Sequence, residues 1–173
     1  MHYLPGDPDA VPPASVVQPP PGARPDVVSF LSEPLTEDLR IAGRIRACLF
    51  VSSDAEDTAF TVQVMEVFPD GTAVNIRDGI TSLAYRNGAS RPLAYTPGDA
   101  VEVVIGMWPI TWTMKRGSRI RVDVSSSNFP AYHAHPNIAG TWSLIPETRA
   151  AAQTIHFGGQ YDSRIEFPVV SDK

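Results

Sequence analysis

From Asp26 onward, apolar and polar side chains alternate with a period of two, the repeat of a pleated strand whose successive side chains point to opposite faces. Leu39, Ile41, Ile45, Ala47, Leu49 and Val51 share one parity, while Arg40, Arg44 and Arg46 share the other. This predicts a long strand with one core face, and Gly43 interrupts it as a candidate bulge. Cys48 and Phe50 lie on the arginine parity, so the far end of the second face is expected to be covered as well. Residues 58–68 read as the next strand, and Pro69-Asp70-Gly71 as a turn into a return strand over 73–78. After Gly79 another strand is expected over 80–86. Residues 100–108 are apolar on both parities, as in a central strand. Residues 119–126 set Ile120, Val122 and Val124 against Arg119, Arg121 and Asp123, which predicts one solvated face. Residues 153–157 and 164–169 complete a set of about nine strands, with Ile155, Phe157, Ile165, Phe167 and Val169 as inward candidates.

Many short strands separated by turn chemistry, without intervening amphipathic helices, predict an all-β fold: a two-sheet sandwich or barrel, with a jelly-roll β-sandwich leading. No self-similarity at a period of twenty to fifty residues supports a propeller or solenoid. A chain of 173 residues fits one core, and 17 prolines with 12 glycines fit many turns. Prolines cluster in residues 1–24 without sustained periodicity, so this stretch is expected to be an extended arm or linker and residues 25–173 the sandwich domain. The net charge of −5 is dispersed, which supplies no field to draw nucleic acid or an anionic membrane. Cys48 is the sole cysteine, so neither an intramolecular disulfide nor a thiolate zinc site is available from this chain. That fits a reducing compartment, and no export signal or membrane-length apolar run is visible; a cytoplasmic location is favoured.

Candidate chemistry is sparse. The Gly-x-Ser-x-Gly elbow of an α/β-hydrolase nucleophile does not occur; Gly117-Ser118-Arg119 reads as a turn and Ser125-Ser126-Ser127 as a strand end, so no catalytic residue is assigned. His133 and His135 are spaced to share one face of a strand and hold a metal, as in a cupin, but Pro130 and Pro136 bracket them as a loop; no metal ligand is assigned. His2 and His156 gain no role. Asp54, Glu56 and Asp57 have the composition of a calcium loop without its glycine-punctuated spacing, and a structural turn is the simpler reading. Glu66 breaks the Phe60, Val62, Val64 parity, either as a buried acid or through a bulge at Met65-Glu66. Trp108, Trp112, Phe129, Tyr132 and Trp142 gather in two segments and are read as a domain-interface or ligand loop. With no glycine-rich phosphate loop, no cofactor is expected.

Several phrases, in order, resemble one family: Tyr3-x-Pro5-x-Asp7-Pro8, Arg24-x-Asp26-Val27 and Ser32-Glu33-Pro34-Leu35-x-Glu37-Asp38-Leu39. Further on come Ser52-Ser53-Asp54-Ala55-x-Asp57-Thr58-x-Phe60-Thr61 and Val67-Phe68-Pro69-Asp70-Gly71. The longest is Gly117-x-Arg119-Ile120-Arg121-Val122-x-Val124-Ser125-Ser126-Ser127-Asn128-Phe129-Pro130. Together they resemble the C-terminal domain of the X-Pro dipeptidyl peptidase and cocaine esterase family of serine hydrolases. The resemblance implies a jelly roll like galactose-binding domains, with the Ser-Asp-His triad in an upstream α/β-hydrolase domain absent from this chain. It implies a non-catalytic role: packing on and stabilising that domain, with ester or amide hydrolysis performed by the intact enzyme. The chain departs from the pattern at Pro12-Pro13 and Pro19-Pro20-Pro21, where the family carries a Gly-Gly loop, at Ser118, often a histidine there, and at Ile110-Thr111-Trp112-Thr113. Alternatives from the residues themselves are a free-standing carbohydrate- or small-ligand-binding module and a cupin-type metalloenzyme. A homo-oligomer is left open, as is the substrate of the intact enzyme, whether ester, β-lactam side-chain amide or X-Pro peptide.

Overall fold

The period-two pattern is realised as eleven strands within residues 16–170, the part of the chain that the computed structural model describes. His2 and the phrase over residues 3–8 lie outside the described residues. In chain order the strands are β1 (Val17–Gln18), β2 (Val27–Leu31), β3 (Leu39–Gly43), β4 (Arg46–Ser53), β5 (Ala59–Val67) and β6 (Ala73–Ser82). They continue as β7 (Val101–Gly106), β8 (Ile110–Met114), β9 (Arg119–Ser125), β10 (Gln153–His156) and β11 (Arg164–Glu166). Among the described residues there is no α-helix, only short 3-10 turns at Arg86–Gly88 and Trp142–Leu144.

Pairing is antiparallel throughout. One sheet has the order β1-β6-β5-β9-β2; in the second, β4 pairs with β7 along one edge and with β10 and β11 along the other; β3 and β8 form a separate ribbon. The inner faces meet in one core, with Val62, Val64, Ile76, Val122 and Val124 from the first sheet against Ala47, Leu49, Val51, Val103 and Ile105 from the second. The fold is a β-sandwich, and burial of these branched side chains is its main favourable term. Gly79 shows how closely the layers approach: a Cβ built there would lie 2.8 Å from Ile105 Cγ2.

The structure corrects several sequence expectations. The strand expected across Leu39–Val51 is two strands, because Gly43, at φ 137° and against Pro168, turns the chain out of the β3-β8 ribbon and into the second sheet. The break expected at Gly79 is absent, and β6 runs through it. Residues 110–114, read as a loop, form β8 and pair with β3. Arg121 and Asp123 are not solvated: they are buried, joined at 2.6 Å, and covered by the N-terminal segment, whose Pro19 carbonyl accepts from Arg121 Nη1 at 2.7 Å. Phe157 and Val169 are exposed, while Ile155, Ile165 and Phe167 do pack on the core. The cover over the far end of β4 is the C-terminal return, with Tyr161 against Phe50 at 5.5 Å and Glu166 accepting from Cys48 Sγ.

Glu66 is a buried acid, and the bulge expected at Met65-Glu66 falls on the partner strand instead, since β5 keeps an unbroken register against β9. The β5-β6 register slips at Val64/Met65, leaving Ile76 of β6 as the extra residue, and Glu66 is buried with its carboxylate accepting from Trp112 Nε1 at 2.9 Å and Lys115 N at 3.2 Å.

Candidate functional site

Where β6 and β7 form neighbouring edges of the two layers, the chain after β9 folds back across them and leaves a cleft of about 540 Å³. Ile80, Thr81 and Ser82 of β6 and Val104 and Gly106 of β7 form its walls, Asp57 and Ala59 its inner end, and Tyr132, His133, His135 and Trp142 its cover. This volume is within the range of small-molecule sites, roughly 300–1,000 Å³.

The cover is held by a link that no local pattern encodes. Asp57 is buried; its Oδ1 accepts from Thr58 N and Ala84 N, each at 2.9 Å, and its Oδ2 lies 3.3 Å from His135 Nε2. On the opposite side of the ring, His135 Nδ1 accepts from Asn137 N at 3.0 Å. Asn137 sits at φ 62°, a left-handed conformation that Asn adopts more readily than most residues. With Nδ1 accepting, the ring proton is on Nε2 and points at Asp57. Both nitrogens are therefore occupied, and the imidazole is a clasp rather than a base: a general base needs a free lone pair within reach of the proton it takes.

The aromatic residues singled out in the sequence separate into three groups. Tyr132 and Trp142 line the cleft, with Trp142 stacked against His133 at a centroid distance of 4.5 Å. Burial, the charge of Asp78 and a hydrogen bond to it push the Tyr132 phenol up to about 12. Trp108 is exposed, with the Arg44 guanidinium 5.9 Å from its ring centroid, and Phe129 is exposed too. Trp112 is withdrawn from the group, half-buried on β8 and donating to Glu66.

The serines hold no nucleophile geometry. Ser118 is fully buried, and Ser125 Oγ lies 2.7 Å from Thr61 Oγ1 and donates to Ser127 O. A serine–histidine contact missed in the sequence joins Ser52 Oγ to His156 Nε2 at 2.8 Å across the β4-β10 pair. Tyr161 stacks on this imidazole at 5.0 Å, and among the described residues no carboxylate pairs with it. Neither residue lines the cleft, so an acyl group bound there would not meet the pair. Asp54 is spent on local structure, accepting from Ala152 N and Arg149. Among the described residues no group of three His, Cys, Asp or Glu side chains is placed to hold a metal ion.

Comparison with known proteins adds to this geometry. Residues 6–166 match the family described as the X-Pro dipeptidyl-peptidase C-terminal non-catalytic domain. A cocaine esterase from Rhodococcus sp. (strain MB1 Bresler) is 38% identical over 149 residues, covering 85% of this chain and 26% of the esterase. An aminopeptidase from the marine sediment archaeon Thaumarchaeota archaeon superposes with a TM-score of 0.80 at 29% identity, over 87% of this chain and 27% of that one. An alpha-amino acid ester hydrolase does so with a TM-score of 0.79 at 28% identity, over 86% and 26% respectively. The chain thus spans about a quarter of the length of these relatives.

Proposed function

This chain belongs to the family of X-Pro dipeptidyl-peptidase C-terminal non-catalytic domains, and we propose that it serves a larger serine hydrolase, packing on and stabilising a catalytic domain outside it. The observation that carries this reading is the match over residues 6–166 to a domain that makes up only 26% of the related esterase. The relatives are an esterase, an amino acid ester hydrolase and an aminopeptidase, so the intact enzyme would cleave acyl esters or amides. In this reading residues 25–173 make up the accessory jelly roll and residues 1–24 lead into it, with β1 already paired to the first sheet. Trp108, Phe129 and Trp142 expose large apolar surfaces of the kind that a neighbouring domain covers. The unpaired Cys48 fits a cytoplasmic enzyme. Among the described residues no helix is long and apolar enough to cross a membrane.

The test is a graft. This chain replaces the matching quarter of the Rhodococcus esterase, and the hybrid is compared with the esterase truncated at the same point. The hybrid should stay soluble, hydrolyse a p-nitrophenyl ester and melt above the truncated enzyme. A hybrid no more stable or active than the truncated esterase would refute the accessory role.

One observation favours a second reading, a small-ligand module: the cleft itself, with the stacked Trp142 and His133 on one side and the hydroxyls of Thr81 and Ser82 on the other. An aromatic face beside hydroxyls suits a sugar ring. Calorimetry with a panel of mono- and disaccharides, repeated on Trp142→Ala, decides it; no heat from any sugar would sink this reading.

A further inference from the structure

The two layers of the sandwich are not the same width. Val28 and Phe30 of β2 stand opposite Val124 and Val122 of β9, so all four share the inward face of the first sheet. Val122 and Val124 are buried, yet Val28 is 51% and Phe30 39% exposed. Inward apolar residues at that exposure mean that no strand lies across from β2. The second sheet stops one strand short: among the described residues β10 and β11 pair only with β4, and their outer edge is open. Ile155 and Ile165, opposite the fully buried Val51 and Ala47, also face inward at that edge and remain partly exposed, and Phe157 beyond them is 69% exposed.

The result is an apolar seam of about 210 Å³ lined by Phe30, Val122, Val124, Ile155, Phe157 and Ile165, open to solvent between the two layers. Phe30 and Phe157 meet edge to face across its mouth at 6.3 Å. A free strand edge beside exposed core-facing side chains is both a hydrogen-bonding template and a hydrophobic site, the combination that extended segments add to. Adjacent strands lie about 4.8 Å apart, so one added strand would extend the second sheet toward Val28 and Phe30.

We propose that an extended segment of the parent hydrolase, from outside this chain, adds as a strand to the β10-β11 edge and buries the seam. This rests on the accessory-domain reading and specifies where it operates. The relatives carry roughly three times as much chain outside the matched region as within it, so covalently attached chain is at hand in proteins of this kind from which such a strand can be drawn. The donor segment alternates apolar residues toward Phe30 with polar residues outward.

The experiment mixes the full chain with the upstream three quarters of the Rhodococcus esterase, expressed without its matching quarter, and follows co-elution and amide exchange. The chain should co-elute, and amides over 27–31 and 153–157 should exchange at least ~10-fold more slowly in the complex. Phe157→Asp and Val28→Asp should weaken binding ~10-fold or more, while Leu93→Ala, at an exposed apolar side chain away from the seam, binds as the parent chain does. Both mutated side chains are largely exposed, and each variant's melting curve alone verifies that it folds. Co-elution with unslowed seam amides, or with undiminished binding by both variants, overturns the added strand and leaves the accessory role standing. Absence of co-elution overturns the accessory role and the added strand with it. A chain that dimerises on its own, and is made monomeric by Phe157→Asp, would assign the seam to a second copy and contradict the proposal.

Discussion

Replacing Asp57 should loosen the cleft's cover in a manner that depends on which oxygen is lost. In Asp57→Ala the amides of Thr58 and Ala84 lose their acceptor, and His135 loses the partner of its Nε2–H. Leaving a buried donor unsatisfied costs about 1–3 kcal/mol, so the two backbone amides together predict a loss of roughly 2–6 kcal/mol. For a domain of this size that lowers Tm by about 4–24 °C. Asp57→Asn retains an acceptor for both amides but sets an NH2 group against the His135 Nε2–H. The ring cannot answer by moving its proton, since Nδ1 already receives the Asn137 amide. The asparagine variant should therefore cost less, about 1–2 kcal/mol, with the damage confined to the cover. Thermal melts give the two totals, and amide exchange over residues 128–142 locates them. The reasoning fails if Asp57→Ala costs under about 1 kcal/mol, or if Asp57→Asn costs as much without faster exchange in that segment.

Three further outcomes follow from particular contacts. Gly79→Ala forces a Cβ to within 2.8 Å of the buried Ile105 Cγ2 and should cost about 1–3 kcal/mol, whereas Gly106→Ala meets nothing within 4 Å and should leave urea unfolding unchanged or slightly improved. Tyr132 is held protonated up to about 12, above the usual value near 10, so it favours the folded state below pH 10 and that contribution is lost as pH rises toward 12. A pH-dependent melt should show the decline, and Tyr132→Phe should remove it. Arg121→Met should strip the partner from the buried Asp123 and the bond to Pro19, lowering stability by about 3 kcal/mol in a denaturant titration and speeding exchange around residues 16–24.

The fold class was legible because a half-buried sheet imprints a period of two, which the sequence shows in β4 (Ala47, Leu49 and Val51) and β9 (Ile120, Val122 and Val124), although β5 is buried on both parities. What the pattern hides is whatever depends on the neighbour across a face. Arg121 and Asp123 look solvent-facing until the segment at Pro19 lies over them, and Phe157, on the apolar parity of Ile155, is exposed because no strand covers it. Gly43 and Gly79 are the same residue type in the same kind of strand: one ends its strand and the other only makes room for Ile105, a difference set by contacts far along the chain. The candidate site was legible in part. Tyr132 and Trp142 do share a cleft, but the Asp57–His135 clasp spans residues far apart in sequence, and Trp112 was misplaced because its strand was read as a loop.

A chain of this non-catalytic-domain family should hold no activated serine of its own. Labelling with a fluorophosphonate tests this most directly, because the probe reacts covalently with a serine only where a base and oxyanion donors activate it. The purified chain should remain unlabelled by mass spectrometry under conditions that label the Rhodococcus esterase stoichiometrically, and Ser52→Ala should change nothing. Stoichiometric labelling of one serine in this chain, abolished with p-nitrophenyl ester turnover by Ser52→Ala or by replacing another labelled serine, would contradict the account.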